Sequence, residues 1–249
     1  MSNHGTALTT GQRAEFLAAA IRALATDVDK LDPATAEYWT RHVGRLRVAF
    51  SMALERKGED LLSINWKLAY QELGMKSEFT TFLAEKMTNY MVDTDDTWAV
   101  PVLPGVTPMK VVKALREHGV NAELFSNNLD KEAIGRNQRD PEDGSYVVRF
   151  RKTIEADLEN AHQSALDRER KNIKDITLLE RLLLELGYFL STGHHLDIES
   201  TTLCAGTRIS NGDVPHVFWW SPTRKLSVDV SFPNVRCSSP RSRTVVAVH

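Results

Sequence analysis

The residues with the most evident chemistry are His194, His195 and Asp197, which lie close together in the C-terminal part of the chain. Imidazoles and carboxylates serve both as zinc ligands and as acid–base groups, so this turn predicts a metal site or a histidine-dependent catalyst. Asp197 would then orient a histidine as a general base. A structural interpretation is also open, because Gly193 indicates a helix end, and the negative potential there favours a histidine.

Further possible metal ligands follow along the chain at Cys204, His216 and Cys237. With His195 they supply the imidazole and thiolate donors of a zinc site, but their spacing matches no compact ligand set. Cys204 lies between apolar residues and is equally typical of a small buried side chain. The signatures of common nucleotide-binding, zinc-protease and serine-hydrolase sites are absent from the sequence, and we predict no metal and no cofactor.

The element that must position the histidines is a helix that begins near Ile176 and is apolar on almost every side. A helix of this kind is predicted to be a central element of the core. Its charges are Glu180, Arg181 and Glu185, of which the last two are four residues apart and can pair. We interpret that pair as structural, with a buried catalytic glutamate as the alternative.

A second set of candidate site residues is basic and aromatic. Trp219 and Trp220 are adjacent in a predicted strand and must point to opposite faces of its sheet. One ring would then lie outside the core, where it could stack on a base or anchor a partner protein; alternatively, the helical domain or arginine stems cover it. The predicted binding residues are Arg136, Arg139, Arg149, Arg151, Arg208, Trp219, Trp220, Arg224, Lys225, Arg241 and Arg243.

The charge distribution supports this second set. The chain has 31 Lys and Arg against 33 Asp and Glu, for a net charge of -2, which argues against coating by nucleic acid. From Thr201 onward, however, basic residues clearly exceed acidic ones. We therefore predict a non-catalytic binding or assembly protein that presents a basic and aromatic surface to an acidic partner, either nucleic acid or protein. The alternative prediction is a metal-assisted or histidine-dependent enzyme centred on the turn from His194 to Asp197.

The fold class predicted from hydrophobic periodicity is α+β. Residues 1–93 are predicted to form an antiparallel helical bundle, which could mediate homo-oligomerisation, and residues 94–106 a linker. Residues 107–249 are predicted to form an α+β domain with a mainly antiparallel sheet packed on the buried helix. Its predicted elements are strands at Val120–Phe125 and Tyr146–Arg151, a hairpin of Val214–Trp220 and Leu226–Phe232, and a long charged helix at Thr153–Asp175.

The expected location is the cytoplasm. Two cysteines make no disulfide framework, which favours a reducing compartment. The N-terminal residues show no secretory signal, and the longest apolar run is well short of the about 20 residues that a membrane span needs. We therefore predict no membrane association.

The C-terminal third resembles a group of uncharacterised bacterial proteins. The segments that carry the resemblance are Leu179–Leu184, Gly193–Asp197 and Leu203–Arg208. No function is known to us for that group, so the resemblance implies none for this chain.

Overall fold

The computed structural model describes residues 64–84, 94, 96–132 and 136–249, together with Pro33. The chain divides into two compact units, Met1–Lys57 and Gly58–His249, and every element described below belongs to the second. The helical bundle predicted for residues 1–93, and its role in homo-oligomerisation, fall mostly outside the described residues. Within the described part of this section, the chain forms two helices, Trp66–Glu72 and Lys76–Phe82.

Helices and strands are interspersed as far as α6, after which the described elements are all strands. The helices are α1 (Trp66–Glu72), α2 (Lys76–Phe82), α3 (Pro108–Glu117), α4 (Leu129–Glu132), α5 (Ala165–Arg170) and α6 (Leu178–Thr192). The strands are β1 (Thr97–Val102), β2 (Asn121–Leu124), β3 (Arg136–Asn137), β4 (Tyr146–Arg151), β5 (Thr201–Leu203), β6 (Thr207–Arg208), β7 (Val214–Trp220), β8 (Lys225–Ser231), β9 (Pro240–Arg241) and β10 (Ala247–Val248).

Helix α6 is the central helix that the sequence predicts. It begins at a capping box, in which the Thr177 hydroxyl accepts from the Glu180 amide and the Glu180 carboxylate accepts from the Thr177 amide. It ends at Gly193, whose φ of 73° is the left-handed conformation that glycine adopts without steric cost. The side chains from Leu182 to Leu184 are completely buried. The predicted central helix and its end at Gly193 are confirmed.

The strands form mixed and antiparallel sheets, so the fold class is α+β. A five-stranded sheet has the order β2-β8-β7-β5-β9, and a three-stranded sheet has the order β1-β4-β10. The pairs β2/β8 and β5/β9 are parallel, and the other pairs in these sheets are antiparallel. Helix α6 contacts both β1 and β7, so the two larger sheets share one core. The predicted hairpin is confirmed as β7 and β8.

The segment predicted as a linker contains a core strand. Residues Thr97–Val102 form β1, every residue of which is buried, and they pair along their whole length with β4. The extended backbone and the buried tryptophan at Trp98 make this part of the segment an integral piece of the sheet. The domain boundary at residues 94–106 stays a prediction.

The prediction of a long charged helix at Thr153–Asp175 is wrong. The segment instead contains a short 3-10 turn at Leu158–Asn160, the six-residue helix α5, and a residue of positive φ at His162. Helix α5 begins at Ser164, which forms a capping box with Asp167. Because of this cap, the helix begins at Ala165 and not at Thr153, where the predicted helix begins.

Tertiary contacts explain why the segment does not continue as a helix. Arg168 is buried and donates to both carboxylate oxygens of Asp175, at 2.9 Å each, and to the side-chain oxygen of Asn160 at 2.7 Å. A solvated helix face would leave these groups in water. Burying them requires partners for every polar atom, and the irregular backbone brings those partners together.

The turn between β5 and β6 lies directly on the start of α6. A Cβ atom at Gly206 would lie 2.5 Å from the carbonyl oxygen of Asp175 and 2.9 Å from that of Ile176. The Gly206 amide donates to the Ile176 carbonyl at 3.0 Å. This contact fixes the turn against the helix that carries the candidate site.

Within the described residues, no helix is long and apolar enough to cross a membrane.

Candidate functional site

The imidazole of His195 is held between two aromatic rings. The Trp219 ring lies parallel to it, with centroids 3.5 Å apart, and the Phe189 ring stacks at 4.8 Å. Phe189 comes from the last turns of α6 and Trp219 from the core-facing side of β7, beside Leu226 of β8. The side chain of His195 keeps 12% of its surface exposed. Two rigid elements therefore fix the plane of the imidazole at the protein surface.

Glu185 fixes the orientation of His195 within that plane. Nδ1 of His195 lies 2.7 Å from Oε1 of Glu185, whose side chain is completely buried. An ionised carboxylate can only accept, so Nδ1 carries the proton and the neutral imidazole has its lone pair on Nε2. Nε2 has no hydrogen-bond partner among the described residues and is not buried. The arrangement presents a basic nitrogen to the surface.

Glu185 belongs to a buried ion-pair network formed by Arg181, Glu185, Asp197 and Arg243. Arg181 donates to Oε2 of Glu185 and to Oδ2 of Asp197, at 2.8 Å in each case. Arg243 donates to Oδ1 of Asp197 at 2.7 Å. All four side chains are at most 1% exposed. Two cations and two anions alternate, so the network is neutral as a whole.

The charges of this network keep both of its carboxylates ionised. Burial by itself would raise the pKa of Glu185, but the charge of Arg181 and the hydrogen bond from His195 bring it below its ordinary value. Burial would likewise raise the pKa of Asp197, which the charges of Arg243 and Arg181 lower. Glu185 is therefore an anion at neutral pH, as its bond to the Nδ1–H group of His195 requires.

The predicted turn supplies one residue of this site directly. His195 is part of the site, whereas His194 is exposed and its backbone amide donates to the Thr192 hydroxyl. The carboxylate of Asp197 is linked to His195 through Arg181 and Glu185. The carboxylate that orients the histidine is therefore Glu185, and not Asp197 as the sequence suggested.

The candidate metal ligands do not converge. Among the described residues, no group of three or more His, Cys, Asp or Glu side chains could hold a metal ion. Cys204 is buried in the core, whereas His216 lies on the opposite face of the five-stranded sheet and Cys237 is exposed. Burial raises the pKa of the Cys204 thiol, which opposes formation of a thiolate.

Most of the cationic binding candidates are held in ion pairs. Those paired with carboxylates are Arg136 and Arg208 with Glu169, Arg139 with Glu180, Arg151 with Asp157 and Glu159, Lys225 with Glu123, and Arg243 with Asp197. Of the remaining ones, Arg149 donates to Thr97, Arg224 has a positive φ in the hairpin turn, and Arg241 has a buried Nε without a partner among the described residues. Whether any of them binds a partner stays a prediction.

The two adjacent tryptophans point to opposite faces, as predicted. Trp219 packs against the core and against His195, while Trp220 is 51% exposed on the outer face of β7. There it meets Phe218 at right angles, with ring centroids 6.3 Å apart. His216 stacks on the other side of Phe218 at 6.1 Å. The outer face of β7 thus carries an aromatic row that is exposed at one end.

Comparison with known proteins identifies no relative: no protein-family model, no curated protein and no solved structure matches the chain.

The sequence contained a signal for Glu185 and Arg181. Charged residues in a helix that is otherwise apolar on every side must be buried, and buried charges require partners. Their mutual pairing across one helical turn is confirmed at 2.8 Å. The local pattern could not indicate Arg243, which joins the network by pairing with Asp197 from a segment far along the chain.

Proposed function

We propose that this protein is a histidine-dependent acid–base enzyme, with His195 as the general base and Glu185 as the residue that orients it. The observation that carries the proposal is the hydrogen bond from Nδ1 of His195 to the buried Glu185, which leaves Nε2 accessible and unpartnered among the described residues. A histidine whose second nitrogen is anchored to a carboxylate is the usual arrangement for moving protons near neutral pH.

The contacts of Nε2 favour one form of this chemistry. The described residues place no serine, threonine or cysteine in hydrogen-bond contact with Nε2. A proton would therefore be taken from the substrate itself or from a water molecule, and not from a nucleophile of the protein. Because the rings of Trp219 and Phe189 stack on the imidazole, a substrate would approach it at its edge.

The test is a screen of esters, amides and phosphoesters with the full chain and its His195→Gln variant. For any substrate that is turned over, we expect His195→Gln to lower kcat/KM by about 10²- to 10⁴-fold, the contribution of a positioned general base. Glu185→Gln should lower it by about 10- to 100-fold, since it replaces the ionised carboxylate that orients the imidazole with a neutral amide. Glu199→Gln, at an exposed position nearby, is the matched control and should leave turnover unchanged.

Turnover by the His195→Gln variant at the wild-type rate would contradict the proposal. Elemental analysis of protein purified without a histidine tag separates the metal-assisted form of the hypothesis from the metal-independent one. A stoichiometric metal that is lost from His195→Gln would favour the metal-assisted form.

A second candidate function is the binding or assembly protein, and the exposed ring of Trp220 favours it. Aromatic side chains with one exposed face are enriched at the energetic centres of protein interfaces. Because most of the cationic candidates are already paired, a protein partner that contacts the Phe218–Trp220 surface agrees better with the structure than a nucleic acid. We retain the prediction of a cytoplasmic location. We also retain the prediction of self-association through the N-terminal section, which light scattering would test.

A further inference from the structure

We propose that Asp197 and Arg243, neither of which touches His195, are positioning residues that set the basicity of Nε2 through Arg181 and Glu185. The proposal rests on the proposed role of His195 as the general base. It assigns a function to the ion-pair network beyond that of holding the fold together.

The network is continuous from the C-terminal segment to the imidazole. Arg243, in the segment between β9 and β10, contacts Asp197 at 2.7 Å. Asp197 contacts Arg181 at 2.8 Å, and Arg181 contacts Glu185 at 2.8 Å. Glu185 contacts His195 at 2.7 Å. Each contact joins opposite charges or a donor with an anion. A change of charge at Arg243 or Asp197 therefore alters the electrostatic potential at the imidazole of His195.

Burial makes these charges effective over that distance. In the water-poor interior the interaction between charges is several times stronger than at the surface, and salt screens it less. The other elements around His195 bring few competing charges, because the core-facing side of β7 presents Val217 and Trp219, and the exposed His194 lies in solvent. Glu180, on the same helix, is engaged by Arg139. The charges linked to the imidazole by the contacts described above are therefore those of Glu185 and, through it, of Arg181, Asp197 and Arg243.

This arrangement predicts shifts of opposite sign for two single substitutions. Asp197→Asn leaves the network with a surplus positive charge, which disfavours the protonated imidazole. Arg243→Met leaves a surplus negative charge, which favours it. The double variant Asp197→Asn/Arg243→Met is again neutral, so its imidazole should titrate close to the wild-type value.

The experiment is an NMR titration of the His195 ring in the full-length wild type, the two single variants and the double variant, with His195→Gln to identify the resonance. We expect the titration midpoint to fall by about one pH unit in Asp197→Asn and to rise by a smaller amount in Arg243→Met, because the charge of Arg243 lies one contact farther from the imidazole. The double variant should return to within a few tenths of a unit of wild type. Glu199→Gln is the surface control and should not move it.

Equal midpoints in all four proteins, or shifts of the same sign in the two single variants, would overturn the proposal. If one single variant does not fold, the other and the charge-balanced double variant still decide the sign. The measurement needs no substrate, so it is independent of the proposed activity. Midpoints that shift as expected in a protein without His195-dependent turnover would support the electrostatic coupling and overturn the catalytic role.

Discussion

The two carboxylates near the histidines have different roles because their side chains leave the backbone in different directions. Asp197 has a φ of 54°, and its completely buried carboxylate accepts from Arg181 and Arg243. Glu185 projects from α6 towards the following turn and reaches His195. Proximity in sequence favoured Asp197 as the partner. In the folded turn the side chains of His195 and Asp197 point to different sides, so that Glu185, and not Asp197, contacts the His195 imidazole.

His216 shows how burial at a single residue creates a dependence of stability on pH. Burial lowers the pKa of His216, and Asp229 across the strand pair opposes this only in part. The unfolded chain therefore binds the proton more readily than the folded one. The stability that this group contributes is present above its ordinary value of 6.5 and is lost as the pH falls through that value towards the lower folded-state pKa.

We accordingly expect His216→Phe to remove part of the acid sensitivity. Urea unfolding of the wild type should show a free energy of unfolding that falls, relative to the variant, by up to about 1.4 kcal/mol per pH unit between the two pKa values. His162→Gln, at an exposed position, serves as the control. Parallel pH profiles for wild type and His216→Phe would show that His216 does not titrate in this range.

At the scale of elements, α6 is positioned by contacts at its N-terminal end. Thr177 and Glu180 close the first turn, and Gly206 brings the β5–β6 turn against the backbone that enters the helix. The predicted long helix at Thr153–Asp175 failed at the same scale. The charge pattern indicated a helix with a solvated surface. In the structure the helix begins only at the Ser164 cap, and Arg168 is buried with polar partners such as Asn160. Periodicity cannot reveal which polar residues find buried partners.

The contact at Gly206 predicts a large effect for a small substitution. Gly206→Ala would place its Cβ within 2.5 Å of the Asp175 carbonyl oxygen, and backbone cannot give way as a flexible side chain can. We expect a loss of about 1–3 kcal/mol or more in the free energy of unfolding, measured by urea denaturation. The comparison is Gly212→Ala, where φ is 91° and no atom lies within 4 Å of the added methyl group.

Gly212→Ala tests backbone conformation alone and should cost about 1–2 kcal/mol. A Gly206→Ala protein that is as stable as the wild type would mean that the turn does not lie as close to α6 as described. In that case the position of the helix entrance, and of the site at its far end, would need another explanation.

At the scale of the whole described molecule, the uneven charge of the sequence is largely compensated internally. Arg208 pairs with Glu169, Arg236 with Asp167, and Arg243 with Asp197. The basic C-terminal section and acidic residues elsewhere in the chain are therefore complementary surfaces of one fold. An excess of charge in one section of a sequence indicates an external partner only when the fold leaves that charge unpaired.

This internal pairing predicts how the chain responds to nucleic acid. Binding of the wild type to RNA or DNA should change little between about 50 and 200 mM salt, because few of the candidate cations are free to displace counterions. Glu169→Gln releases Arg136 and Arg208 and should increase the salt dependence, by up to about 0.9 in the logarithmic slope for each phosphate that a released arginine neutralises.

Glu199→Gln removes the same charge at an exposed site and controls for net charge. Steeply salt-dependent binding by the wild type would contradict the expectation and would restore nucleic acid as the partner of the second candidate function.

The sequence by itself determined the local features. The apolar central helix with its end at Gly193, the hairpin around the Ser221–Arg224 turn, and the opposite orientation of the two tryptophans follow from periodicity, turn chemistry and strand geometry. These depend on residues a few positions apart. Tertiary structure decided the rest, because Glu185, Arg243 and Trp219 meet around His195 and Asp197 only when distant segments pack together. Because these charges are buried, each requires a partner of opposite charge, and together they form an ion-pair network. No local sequence pattern specifies which residue that partner will be.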